Sequence, residues 1–212
     1  MPSKLRALAI GSSVLLALSV TGVAVGNAAH ATTARPAARH AAATHHDGAG
    51  AFTVTSPDFS EYGWLPVSSE FGGPGSAGSG CSGANQAPTL HWTNVPAGTE
   101  SFAFTITDVD APQADFFHHW IVYNIPAGVT TLHGHGSNPY SEGTNDWPTV
   151  GYGGPCPPAD GQIHHYVFTV WALSVPSISG THLTYSQLMN AISNDIVGVT
   201  STIGLFRLPL SS

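Results

Sequence analysis

Beyond residue 51 the chain has almost no positive charge: Arg207 is its single Lys or Arg there, against eleven Asp and Glu. A nucleic-acid footprint needs clustered basic side chains, which argues strongly against that class of partner. The same lack disfavours electrostatic attachment to anionic membranes. Any anion held by this part of the chain must be met by histidines and backbone amides. Cysteine is scarce too. Cys81 and Cys156 are the only two, and neither has the close Cys or His spacing of a structural zinc site. In an exported protein such a pair reads as one disulfide, with two separate thiols as the alternative. Also missing are an HExxH helix, a phosphate-binding Gly-Lys loop and a nucleophile elbow.

The chain opens with Lys4 and Arg6, followed by an uncharged, mostly apolar run and small residues at Ala29-His30-Ala31. That layout predicts a secretory signal over residues 1–31. The competing reading is an uncleaved membrane anchor, since about 20 uncharged residues just span a bilayer. The Ala-, Thr- and His-rich segment over 32–51 has no apolar periodicity and reads as a flexible linker. Residues 52–212 then form one domain, long enough to bury a core.

Most of that domain reads as strands. In SFAFTIT, residues 101–107, alternation puts Phe102, Phe104 and Ile106 on one face. HHWIVYNI at 118–125 and HHYVFTVWAL at 164–173 are apolar on both faces, as expected for strands in a sandwich interior. One helix is predicted late: Thr184 and Gln187 make a capping box, and Leu188, Met189, Ile192 and Ile196 follow at helical spacing. The fold class is therefore mainly β, antiparallel, with a few peripheral helices.

Three segments gather polar groups inside apolar sequence. In DVDAP, residues 108–112, an extended backbone points Asp108 and Asp110 the same way, although a plain strand-end turn has the same composition. In FFHHWIVYN, alternation groups His119 with Ile121 and Tyr123, and His118 with Trp120 and Val122. In GYGGPCPPADGQIHHYVF the loop leads into a strand where His164 and Tyr166 share a face and His165 points away. Its glycines allow close approach to a ligand, its prolines stiffen the path, and such loops can aim amides at an anion. His133-Gly-His135 and His45-His46 lack a fixed third ligand and read as solvated polar loops rather than metal sites.

In order and spacing these segments resemble the phosphatidylethanolamine-binding protein family, and in particular its bacterial Raf-kinase-inhibitor-like branch. The resemblance runs from Phe52 to about Leu208 and includes CSGANQAPTLHWTNVPAGT at 81–99 and GTNDWPTVGYGGPCPP at 143–158. It implies an antiparallel β-sandwich with a surface pocket for phosphate-like anions and small polar head groups. Carried over by motif, that pocket uses Asp108, Asp110, Pro112, His119, Gly154, Pro155, Cys156, Pro157, His164 and Tyr166. The resemblance also implies a cis X-Pro bond beside the pocket. Val109 and His165 depart from the family's usual proline and arginine, and Asp195 stands where a histidine is usual.

The function expected from residues and resemblance together is a secreted, non-catalytic protein holding an anionic or phosphorylated small ligand, with no cofactor. Two other readings carry over: a secreted inhibitor or regulator of an enzyme such as a protease, and a hydrolase using His/Asp acid–base chemistry. No membrane span is expected once the signal is cleaved.

Overall fold

The computed structural model describes residues 50–72, 80–134 and 139–210. The expected signal, the linker up to residue 49 with His45-His46, residue His135, and 73–79 lie outside the described residues.

The strands are β1 (Thr53–Thr55), β2 (Gly63–Trp64), β3 (Leu90–Thr93), β4 (Ser101–Asp108), β5 (Phe117–Pro126), β6 (Thr131–Leu132), β7 (Ser141–Glu142), β8 (His164–Leu173) and β9 (Ile196–Phe206). A 3₁₀ turn spans Val67–Ser69, and α1 spans Tyr185–Ile192 between β8 and β9. Two sheets result: a small one ordered β1-β3-β6 and a six-stranded one ordered β2-β9-β8-β4-β5-β7. Every named pairing is antiparallel except β2 with β9.

The main core lies between the sheets. Val54, Leu90, Trp92 and Leu132 from the small sheet meet Phe102, Phe104, Ile106, Phe168 and Val170 from the large one. On the other face of the large sheet, Ala103, Ile121, Tyr123 and Leu173 pack under Leu188 and Ile192 of α1. Two covered faces explain why β4, β5 and β8 read as continuous apolar runs rather than clean alternation. The capping box of α1 is present: Thr184 Oγ1 accepts from Gln187 N while the Gln187 side chain accepts from Thr184 N. The helix stops at Ile192, so Ile196 belongs to β9 and not to the helical stripe. It nonetheless packs on the same cluster, which is why it fits the apolar period.

β5 departs from simple alternation. Its pairing with β4 slips twice, between Phe102 and Phe104 and between Ile106 and Thr107. At the second slip Trp120 faces Ile106 but His118 faces Thr107, leaving His119 as an extra residue. Such a bulge re-aims the side chains around it. The expected grouping of His119 with Ile121 and Tyr123 is therefore wrong. His118 stacks on Tyr185, on the α1 side with Ile121 and Tyr123, and His119 packs against Tyr166 toward the other side. The cis X-Pro bond is not found either: every peptide bond among the described residues is trans. Other contacts fix the loop: Gly153 N donates to His119 O, Gly154 N donates to Asn85 Oδ1, and Gly154 packs against the backbone of residues 69–71.

Candidate functional site

The ends of β4, β5 and β8 and the 147–158 loop enclose a surface cavity of about 320 Å³. Asp108, His119 and His164 supply its polar floor, and Phe117, Trp147, Pro112, Pro157 and Pro158 line its apolar wall.

Each imidazole is held by one nitrogen. His119 Nδ1 donates to Gly153 O at 2.6 Å, and Gly153 N returns a bond to His119 O. His164 Nδ1 donates to Asp108 Oδ2 at 2.7 Å, with both side chains buried. The carbonyl and the carboxylate can only accept, so both rings carry their proton on Nδ1 and keep Nε2 as the free pole. Burial holds His119 down to about 4, so at neutral pH its ring is uncharged and Nε2 is a hydrogen-bond acceptor. Gly153 O and the Asp108 carboxylate pull the other way but do not overcome desolvation. Asp108 also caps the turn after β4, accepting from Asp110 N through Oδ1.

Tyr166 lies beneath His119, with ring centroids 5.1 Å apart, and does not line the cavity. Burial first, then the neighbouring Asp108 carboxylate, push its phenol upward, so it stays protonated. Its Oη is sealed from solvent and meets no hydrogen-bond partner in acceptable geometry.

Of the residues expected at the pocket, Asp108, Pro112, His119, Cys156, Pro157 and His164 line the cavity. Asp110 does not. β4 ends at Asp108, so strand alternation no longer applies, and Asp110 turns outward to accept from the backbone and ring of His165 at 2.6 and 2.7 Å. The depressed titration of Asp110 reflects the His165 bonds and charge, which outweigh a desolvation effect of opposite sign. Gly154 and Pro155 lie behind the wall. A Cβ on Gly154 would overlap the Ser69 carbonyl, its amide donates to Asn85 Oδ1 at 2.8 Å, and Pro155 O accepts from Phe71 N. The Gly153 amide donates to His119 O and the Gly154 amide to Asn85 Oδ1, so the expected nest of loop amides does not form at Gly153 and Gly154.

Sequence reasoning missed Ala111, Gln113, Phe117, Trp147 and Pro158 in the lining. Trp147 sits over Gly153, where a Cβ would strike its ring, and stacks on Phe71 with centroids 4.4 Å apart. A lone Trp in a loop carries no periodic signal, and only adjacency to the His118-His119 pair could have pointed to Phe117. Cys156 is bonded to Cys81, their Cα atoms 5.9 Å apart, which ties the 81–90 segment to the cavity rim. Arg207 does not reach the cavity; its guanidinium lies 5.3 Å from the Trp64 ring.

Comparison with known proteins agrees with this architecture. Residues 55–207 match the family model described as phosphatidylethanolamine-binding protein. The UPF0098 protein YbcL of Escherichia coli K12 is 41% identical over 138 residues, covering 61% of this chain and 73% of that protein. A protein of Mycobacterium tuberculosis H37Rv named putative lipoprotein LppC is 34% identical over 156 residues, 73% of this chain and 72% of its own length. The crystal structure of E. coli YbcL superposes with a TM-score of 0.68 at 33% identity, covering 75% of this chain and 99% of that one. A Chlamydia trachomatis homologue, CT736, gives 0.64 at 28% identity, over 74% of this chain and 97% of its own. With the matched span and the two-sheet fold in agreement, this chain belongs to the phosphatidylethanolamine-binding protein family.

Proposed function

We propose that this family member is an exported binding protein that holds a small phosphate- or carboxylate-bearing ligand in the His119–His164 cavity without turning it over. The observation that carries this reading is the pair of imidazoles whose Nδ1 atoms are both engaged, each lining the cavity with Nε2 free. No Lys or Arg lines that space, so an anion there must be matched by protons taken up on the rings. Asp108 orients His164 by accepting from its Nδ1, which leaves Nε2 for the ligand. The aromatic and proline wall suits an apolar tail attached to the anion. The absence of turnover is favoured by a lining with no Ser, Thr or Lys, and by Cys156 being tied in a disulfide.

Export is supported by the disulfide, which persists in oxidising compartments, and by the signal-like start of the sequence. Sequencing the N-terminus of protein recovered from culture medium should place it after Ala28 or Ala31; an intact Met1 in the membrane fraction would indicate an anchor.

The ligand is tested by calorimetry with inorganic phosphate and a phosphate monoester, in two buffers of different ionisation enthalpy. Affinity should rise as pH falls below the ordinary histidine range, with net proton uptake at pH 7. His164→Ala should weaken binding by about 1.5–3 kcal/mol, the range for a hydrogen bond to a charged group. Binding that ignores pH and takes up no proton would overturn the anion reading.

A further inference from the structure

Beyond the bulge at His119 lies a second cavity, open to solvent. On the α1 side of β5 a cavity of about 540 Å³ is lined by His118, Asp115, Asp146, Tyr185, Met189 and Asn190, among others. It stands back to back with the first. Neighbouring residues divide between the two: Phe116, His118 and Asp146 line this cavity, while Phe117, His119 and Trp147 line the other.

We propose that this helix-side cavity is a second ligand site, built for a small protonated organic amine. Its charge is one-sided. Asp115 and Asp146 both line it, no Lys or Arg does, and the domain's one such residue after position 51 is stacked on Trp64. A cleft lined by one sign of charge concentrates the opposite ion.

Acceptors stand at the β5 side of the cavity, while Thr184, Ser186 and Asn190 line its helix side. Asp146 uses Oδ2 for the backbone N and Nδ1 of His118, at 2.7 and 2.9 Å, leaving Oδ1 as a free acceptor. The carboxylate is held below its ordinary range by those His118 bonds, which outweigh desolvation. The His118 side chain is 7% exposed, and with Nδ1–H given to Asp146 its Nε2 has no protein partner. A mostly buried imidazole whose Nε2 meets no protein donor, beside the half-exposed Asp146 and the exposed Asp115 carboxylates, fits the three N–H bonds of a primary ammonium.

Beside the polar Thr184, Ser186 and Asn190, part of the wall is apolar. Tyr185 is stacked on His118 at 3.8 Å and 19°, and Met189 and Phe116 flank it, giving a shoulder for a short alkyl chain. A metal ion suits the site less well, because no cluster of three metal-ligating side chains occurs among the described residues.

The test is an NMR titration of the full chain with n-butylammonium, following the ring resonances of His118 and Tyr185, with n-butanol as the neutral control. Saturable shifts with the amine and affinity at least about tenfold weaker for the alcohol are expected, since charge-assisted bonds to two carboxylates outweigh the neutral hydroxyl's contacts. Asp115→Asn, on an exposed turn, should weaken the amine about fivefold and leave the alcohol unchanged. Tyr185→Leu should weaken both ligands. Equal affinity for amine and alcohol, a titration without curvature, or an Asp115→Asn protein that binds the amine as tightly as before would overturn the proposal.

Discussion

His164–Asp108 and His165–Asp110 are the same bond made twice. Both have Nδ1 to Oδ2 distances of 2.7 Å, on adjacent histidines of one strand. What differs is the surroundings. In the first pair the side chains are 7% and 5% exposed, and in the second both are 40% exposed. The buried pair is shielded from water and salt, fixes a ring in the cavity, and leaves a stranded polar group if one partner goes. The exposed pair clamps the turn that carries Ala111 and Pro112 to β8, and water competes for both partners. Distance alone ranks nothing here; desolvation does.

Four perturbations sharpen this contrast, taken from the largest effect to the smallest. Removing the disulfide with Cys81→Ser and Cys156→Ser frees a loop of sequence separation 75 on the buried side. The chain-entropy argument gives a loss of about 4.5 kcal/mol, read from denaturant midpoints against the parent. The exposed pair should not notice, so the His165 ring resonances should keep their positions. Asp108→Ala strands the buried His164 Nδ1–H and removes the cap on Asp110 N. A loss of about 4 kcal/mol is expected, with phosphate binding lost in the same protein. A cost as small as that of an exposed pair would erase the distinction drawn above.

The third perturbation is pH. Burial lowers His119 from 6.5 to about 4 in the folded protein, so the unfolded chain binds the extra proton between those values. Stability contributed by keeping the ring neutral is complete above about pH 6.5 and is lost as pH falls toward 4, by about 3 kcal/mol in all. His119→Gln, which retains a donor for Gly153 O, should flatten that part of the curve in urea melts taken across the range. Asp110 and Asp146 are both depressed below 3.8, so their contribution fades only at more acid pH and is separable from that of His119. The smallest effect belongs to Asp110→Asn. At an exposed pair it should cost less than about 1 kcal/mol and barely change phosphate affinity, measured by the same calorimetry.

Much of the fold was legible because it rests on local pattern. The apolar runs of β4, β5 and β8, the capping box at Thr184 and the paired cysteines each carry their signal within a few residues. The opening of the cavity was legible too, through Asp108, Pro112, His119 and His164. Its wall was not. Trp147 reaches the cavity by packing on Gly153 and Phe71, and no periodicity in the loop points there. The glycines of the 151–155 stretch were legible as a special backbone, but their purpose was not. Whether a missing Cβ admits a ligand or another piece of backbone depends on what lies across the gap, and for Gly154 that is the Ser69 carbonyl.

The sequence by itself determined the class of fold, the single cation after residue 51, and therefore that histidines must supply any positive charge near a bound anion. Only the tertiary structure decided which way those histidines face and what charge they carry. One extra residue at the β5 bulge turns His118 toward α1 and His119 toward the 153 loop, against the alternation of the strand. Burial then removes His119 from water and holds its ring neutral. Neither outcome is local: a bulge is a property of two paired strands, and desolvation is a property of everything packed around a side chain.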